Sequence, residues 1–260
     1  MARLPRQQTR HMKIDQRDAD AALSSDVHRH SSWTMPAILI LVTAAIGVGI
    51  FIYLAGPTVQ DIQGTTPSPT ASADPIDLRV DGIGFRIPAY YTESRATRSG
   101  GDQEEVDMHV LLPDLHPWNL TDKAAFESNA ADARVVHFTL KPDHQALTDD
   151  QRFERALRPQ TLNPDGTPGP FGLTQFDFPQ GLGYDDVQIF TAPIDAKTVL
   201  ILRCDKIGDR EFGPSCIRQT RTSDGIGLTY RFKRAHLAEW KAIDDGIMKL
   251  VENFRAAAPK

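Results

Sequence analysis

The two cysteines of this 260-residue chain, Cys204 and Cys216, are the residues whose chemistry the sequence indicates most directly. Their spacing suits two neighbouring strands, and a pair of cysteines in an exported domain is most simply a disulfide. A metal or redox pair is the alternative, but the spacing is unlike the CxxC pattern and no histidine cluster accompanies it. We therefore predict a disulfide, which stabilises a loop of this size by about 3 kcal/mol in the chain-entropy model.

Basic side chains cluster around these cysteines, in the last predicted strands and their connections: Arg203, Lys206, Arg210, Arg218, Arg221, Arg231, Lys233 and Arg234. In a chain of negative net charge, such a cluster can steer an acidic protein partner toward one surface. Four of these residues are predicted to bind the partner: Arg218, Arg221, Arg231 and Lys233. The alternative is an ordinary solvated face, balanced by three nearby acidic residues: Asp205, Asp209 and Glu211.

Trp118 is the other predicted contact residue. It ends a loop that contains Pro113 and Pro117, and a rigid loop with a large aromatic side chain is a good contact point for a protein. The alternative is that Trp118 caps the core beside the helix that follows it.

Catalytic signatures are sparse. The sequence has no GxSxG elbow, HExxH pair, phosphate-binding glycine loop or dinucleotide fingerprint. His109 and His137 lie in predicted strands, where they could hold a metal together with Asp107. Histidines in strands are more often structural than metal ligands, so we expect no metal and no cofactor. The adjacent carboxylates Asp185 and Asp186 are the candidates for a hydrolase, although paired acids in a turn are commonly only solvated.

The overall charge argues against nucleic acid as a partner. The chain carries 29 Lys and Arg against 34 Asp and Glu, so no basic excess is present to bind phosphates.

Residues 35–55 contain no charged side chain, and that length suits a helix crossing about 30 Å of hydrocarbon. A cleavable signal peptide has a shorter apolar core, and a buried helix would show a polar side. We therefore predict a single-pass transmembrane helix whose partner is the lipid bilayer. The first basic residue after this segment is Arg79, whereas six precede it: Arg3, Arg6, Arg10, Lys13, Arg17 and Arg29. This asymmetry predicts a cytoplasmic N-terminus and a periplasmic C-terminal domain at the inner membrane.

Small residues at Thr43, Ala45, Gly47 and Gly49 give overlapping small-xxx-small spacings in this segment. Such spacings let two helices pack closely, so a homodimer is compatible with the sequence, but they are also common by chance in apolar runs.

Four regions follow along the chain. Residues 1–34 are predicted to be a disordered cytoplasmic tail, 35–55 the transmembrane helix, 56–75 a flexible Pro/Ser/Thr linker, and 76–260 an extracytoplasmic domain.

The predicted domain is α+β, with an antiparallel sheet and helices packed on it. Asp81-Gly82 separates two short alternating segments, which is a hairpin signal, and Thr148 with Gln151 forms a capping box. Thr121 is predicted to cap a helix through Ala131. At the C-terminus an amphipathic helix is predicted from its apolar stripe: Leu237, Trp240, Ile243, Ile247, Leu250, Val251 and Phe254.

These features favour a membrane-anchored, extracytoplasmic protein-binding module of the bacterial envelope. Toxin neutralisation of the immunity type and an accessory role in envelope assembly fit equally well. The competing class is a membrane-tethered periplasmic hydrolase acting on cell wall or lipid, which would need acid and base residues gathered in a cleft.

Overall fold

The computed structural model describes residues 33–55, 66–195, 198–208 and 213–259. The chain divides into two units, Met1–Pro57 and Thr58–Lys260. Residues 1–32 of the predicted tail, residues 56–65 of the predicted linker and the basic residue Arg210 lie outside the described residues.

The first unit contains one described helix, α1 (Thr34–Ala55). Within the described parts of the chain, no helix combines the length and the apolar character that crossing a bilayer requires. The predicted transmembrane helix of residues 35–55 is therefore not supported.

The second unit begins with a small sheet of three strands in the order β2-β1-β3: β1 (Pro75–Val80), β2 (Ile83–Pro88) and β3 (Gly101–Gln103). β1 and β2 form the predicted hairpin, and both turn residues have positive φ, 50° at Asp81 and 77° at Gly82. Two successive positive φ angles define the tight turn that Asp-Gly favours between twisted strands.

A larger sheet of eight described strands follows, in the order β4-β5-β11-β10-β9-β8-β7-β6, and every pair of neighbouring strands in it is antiparallel. The strand bounds are β4 (Val106–Leu111), β5 (Val135–Lys141), β6 (Thr167–Pro168), β7 (Thr174–Asp177), β8 (Val187–Pro193), β9 (Val199–Asp205), β10 (Ser215–Arg221) and β11 (Gly227–Lys233). The predicted α+β class with antiparallel sheets is confirmed.

Among the described residues this unit has three further α-helices: α2 (Lys123–Phe126), α3 (Asp149–Arg152) and α4 (Trp240–Ala256). α3 starts at the predicted capping box, in which Thr148 and Gln151 bond reciprocally, and it continues as a wider turn over Phe153–Leu157. α4 is the predicted amphipathic helix.

The main core lies on one face of the large sheet, which we call the inner face. Ile243, Ile247 and Val251 of α4 are buried there, together with Leu78 and Phe85 of the small sheet. Alternate residues of the strands in the large sheet direct their apolar side chains to this face. α4 and the small sheet cover these side chains. We call the opposite side of the large sheet the outer face.

Two helix predictions need correction. Trp240 is half-buried rather than buried, since it is the first residue of α4, and its indole N–H donates to the Phe171 carbonyl at 3.2 Å. The helix predicted over residues 121–131 is a single turn, because Phe126 is its only buried residue and one apolar contact cannot sustain a longer helix.

Candidate functional site on the outer face of the large sheet

The large sheet consists of two halves that meet at one short junction. β10 pairs with β11 through seven residue pairs, and β9 pairs with β8 through seven, but β9 and β10 pair only at Cys216 with Cys204 and at Ile217 with Arg203. The predicted disulfide is confirmed at this junction, with both cysteines fully buried on the inner face. It therefore joins the two halves where they touch.

A row of directly opposed residues crosses the outer face at the junction. His137 of β5 pairs with Arg231 of β11, Arg231 pairs with Ile217 of β10, and Ile217 pairs with Arg203 of β9. Residues opposed in an antiparallel pair bring their side chains within reach of one another. We call these four residues the contact row.

The middle of the contact row is open to solvent. Ile217 is 36% exposed, and Arg203 and Arg231 are both exposed. Neither guanidinium forms a hydrogen bond or an ion pair with any residue that the structure describes. An apolar side chain between two unpaired cations is well suited to contact with an acidic protein surface.

Two covering segments border this open region. On one side Trp118 and Phe126 pack on Leu111 and Val135, and on the other Phe153 packs with the residues around Ile189. Two hollows of about 320 Å³ and 270 Å³ share Ile217 in their lining, and His137 and Arg231 line the first while Arg203 lines the second. The contact row thus forms the floor of a shallow groove.

Three predicted contact residues are not available to a partner in this structure. Arg218 is 4% exposed, and its guanidinium contacts the Asp244 carboxylate of α4. Lys233 is 9% exposed and donates to Asn129 at 2.8 Å. Trp118 is 8% exposed within the cluster on Leu111, as its alternative interpretation expected.

Each of these corrections has a physical reason. Arg218 lies two residues after the inner-facing Cys216, so its side chain shares the inner face. Lys233 does lie on the outer face, but the segment that contains Asn129 covers it. Burial lowers the pKa of Arg218 from its usual value, although an arginine retains its charge.

Arg221 and Arg231 have different surroundings. The Arg221 guanidinium donates to Asp143 at 2.6 Å, and this bond raises the pKa of Arg221 and lowers that of Asp143. Arg231 is exposed as predicted. Arg203 lies on the other side of Ile217 from Arg231. The sequence could have shown this position of Arg203, since pairing Cys204 with Cys216 puts Arg203 opposite Ile217.

Glu93 lies between His137, which belongs to the contact row, and His109 on the neighbouring strand β4. Its carboxylate lies 2.6 Å from Nδ1 of His137 and 3.9 Å from Nδ1 of His109. Burial lowers the pKa of His109 to about 4, so this imidazole is neutral at physiological pH and its contact with Glu93 is not an ion pair. Among the described residues no group of three or more ligands is arranged to hold a metal ion.

A polar cavity of about 380 Å³ lies beyond the junction, between β9, β10 and α3. It contains Asp149, whose pKa burial raises, with Arg152 at 3.3 Å. Its lining residues, all of them described, include no histidine or cysteine. Asp185, a hydrolase candidate, is exposed and accepts a turn bond from the Gly181 amide at 2.8 Å.

No family model matches the chain, and no curated protein matches it. Two solved structures are similar. An immunity protein of the Stenotrophomonas maltophilia type IV secretion system has a TM-score of 0.50 and 16% identity, over 70% of this chain and 94% of that one. The iron-regulated outer membrane lipoprotein FrpD of Neisseria meningitidis has a TM-score of 0.48 and 15% identity, over 74% and 97%. At such identities the first likeness indicates a shared fold.

Proposed function

We propose that the second unit is a protein-binding module of the bacterial envelope and that the contact row is the centre of its binding surface. The observation that carries this proposal is the row itself, in which an exposed Ile217 lies between the exposed guanidinium groups of Arg203 and Arg231, neither of which is paired with a described residue. Arginine is among the residues that contribute most to protein interfaces, and an isolated apolar side chain between two arginines can be buried by a partner.

The chemistry of the partner follows from the charges of this surface. A partner that covers Arg203 and Arg231 removes water from two cations, and that loss is offset only if carboxylates of the partner reach them. The partner should therefore present acidic side chains on either side of an apolar one. Complementary charge of this kind also raises the rate of association.

Neutralisation of an incoming toxin is the form of this function that we favour, and the fold shared with a secretion-system immunity protein supports it. An accessory role in envelope assembly is the second form. Both forms require a protein partner on the same surface, so an experiment that detects a protein bound at the contact row tests both.

Attachment to the inner membrane through residues 35–55 is proposed on sequence grounds, with the N-terminus in the cytoplasm and residues 76–260 in the periplasm. Protease added to intact spheroplasts should then digest the C-terminal unit, because the basic residues that hold an N-terminus inside all precede Met35. Digestion that occurs only after the spheroplasts are lysed would contradict this orientation.

A photo-crosslinking amino acid at position 217 tests the binding surface. We expect it to form a covalent product with a protein partner in living cells, whereas the same amino acid at Lys249, exposed on α4 away from the sheet, should not. A product of two copies of this chain would instead assign the surface to a homodimer.

A further inference from the structure

Beyond the junction, the two halves of the large sheet present facing strand edges that are not paired with each other. Residues 218–221 of β10 form their ladder with β11, and residues 199–202 of β9 form theirs with β8. No backbone hydrogen bond between described residues joins these two edges. In an antiparallel strand alternate residues direct both N–H and C=O to the same side, so each edge offers free donors and acceptors.

The polar cavity of about 380 Å³ borders both of these edges and also extends across one face of β10 to Gly227 and Thr229 of β11. Its lining includes Arg218 and Thr220, which face inward, and Gln219 and Arg221, which face outward. Because both faces of β10 and residues of β9 contribute to the lining, the cavity reaches the place where a strand paired with β10 would lie. We call it the strand gap.

We propose that the strand gap binds an extended segment of a protein partner, which pairs with β10 as an added strand between the two halves of the sheet. This inference rests on the proposed function, since the segment belongs to the partner held by the contact row. The free backbone groups of β10 supply the pairing, as in other sheets that bind peptides at an exposed edge.

The shape and lining of the strand gap define the segment. One residue of a paired strand fills about 160 Å³, so the cavity holds about two residues, and the rest of the segment lies across its open end. β10 and β9 pair at Ile217 and Arg203, so the segment enters from the end away from this junction. Because Arg218, Thr220 and Gln219 line the gap, the side chains that enter it should be small and polar rather than bulky and apolar.

Peptide selection on the full chain tests this inference with a defined probe. A library of random peptides of about twelve residues, longer than a typical strand, is displayed and selected for binding. We expect the selected peptides to slow the hydrogen exchange of those amides of residues 218–221 that face the gap. In the free protein the same amides should exchange faster than the amide of Ile217.

Variants of matched size locate the peptide. Thr220→Trp should fill the gap and weaken peptide binding by about tenfold or more, the loss expected when one or two backbone hydrogen bonds cannot form. Thr198→Trp, at the residue before β9, fills the same gap from the other side and replaces the first variant if that one does not fold. Thr167→Trp, at an exposed position on β6 at the far edge of the large sheet, should bind peptide like the wild type.

Three outcomes would overturn the inference. These are the selection of no peptide, protection confined to amides elsewhere in the chain, and undiminished binding by both gap-filling variants. The failures of the two proposals can be distinguished. If peptides protect residues 218–221 from exchange but position 217 forms no crosslink, the strand gap is supported and the contact row is refuted.

Discussion

Replacing Asp244 by alanine is expected to lower the free energy of unfolding by about 3 to 5 kcal/mol, because it leaves a buried cation without its partner. Asp244 is 3% exposed and Arg218 is 4% exposed, and the hydroxyl of the buried Tyr230 donates to the same carboxylate at 2.9 Å. Loss of this carboxylate therefore leaves the Arg218 guanidinium and the Tyr230 hydroxyl buried between α4 and the sheet without their partner.

Chemical denaturation of the Asp244→Ala variant measures this loss. The matched control is Asp245→Ala, one residue along α4, whose carboxylate is exposed and pairs with Lys241 at 3.3 Å, so its cost should be below about 1 kcal/mol. The double variant Arg218→Met with Asp244→Leu should recover most of the stability, because it removes both charges together. Equal losses for Asp244→Ala and Asp245→Ala would refute the buried pair.

Removal of the disulfide has the second largest expected effect. Replacing Cys204 and Cys216 by alanine should cost about 3 kcal/mol, as the chain-entropy model predicts for a loop this short. Because the two halves of the sheet pair at only two positions, we also expect the junction to loosen beyond this loss of stability.

Amide hydrogen exchange distinguishes these two consequences. In the double-alanine variant, the amides of Arg203 and Ile217 should exchange faster, whereas that of Phe138 in β5 should change only with the global stability. Uniform acceleration across the whole sheet would show that the disulfide does not act specifically on the junction.

Most of the fold could be predicted from local patterns. The Asp81-Gly82 turn predicted the first hairpin, and the alternation of Val106, Met108 and Val110 is typical of a half-buried strand such as β4, because each signal depends on neighbours in the sequence. The apolar stripe of α4 was likewise visible. The prediction of a helix from Thr121 through Ala131 was wrong in length, because a capping signal does not supply the packing that sustains a long helix.

The candidate site required information that local patterns lack. Alternation within β10 placed Arg218 on the face of Cys216, but nothing local identified Asp244 as its partner. Lys233 alternates outward as expected, yet a segment distant in sequence covers it. The contact row also depends on the register of four strands, of which the disulfide fixes only one pair in advance.

The most direct test of the central claim, that the contact row binds a protein, is crosslinking from position 217 in a chain that carries Arg203→Glu and Arg231→Glu. Both arginines are exposed and unpaired in the described structure, so these changes should leave the melting temperature nearly unchanged. We predict that the crosslinked partner obtained with the wild-type row disappears from the double variant, because its carboxylates then meet like charges. An equal yield of the same product from the double variant would contradict the account.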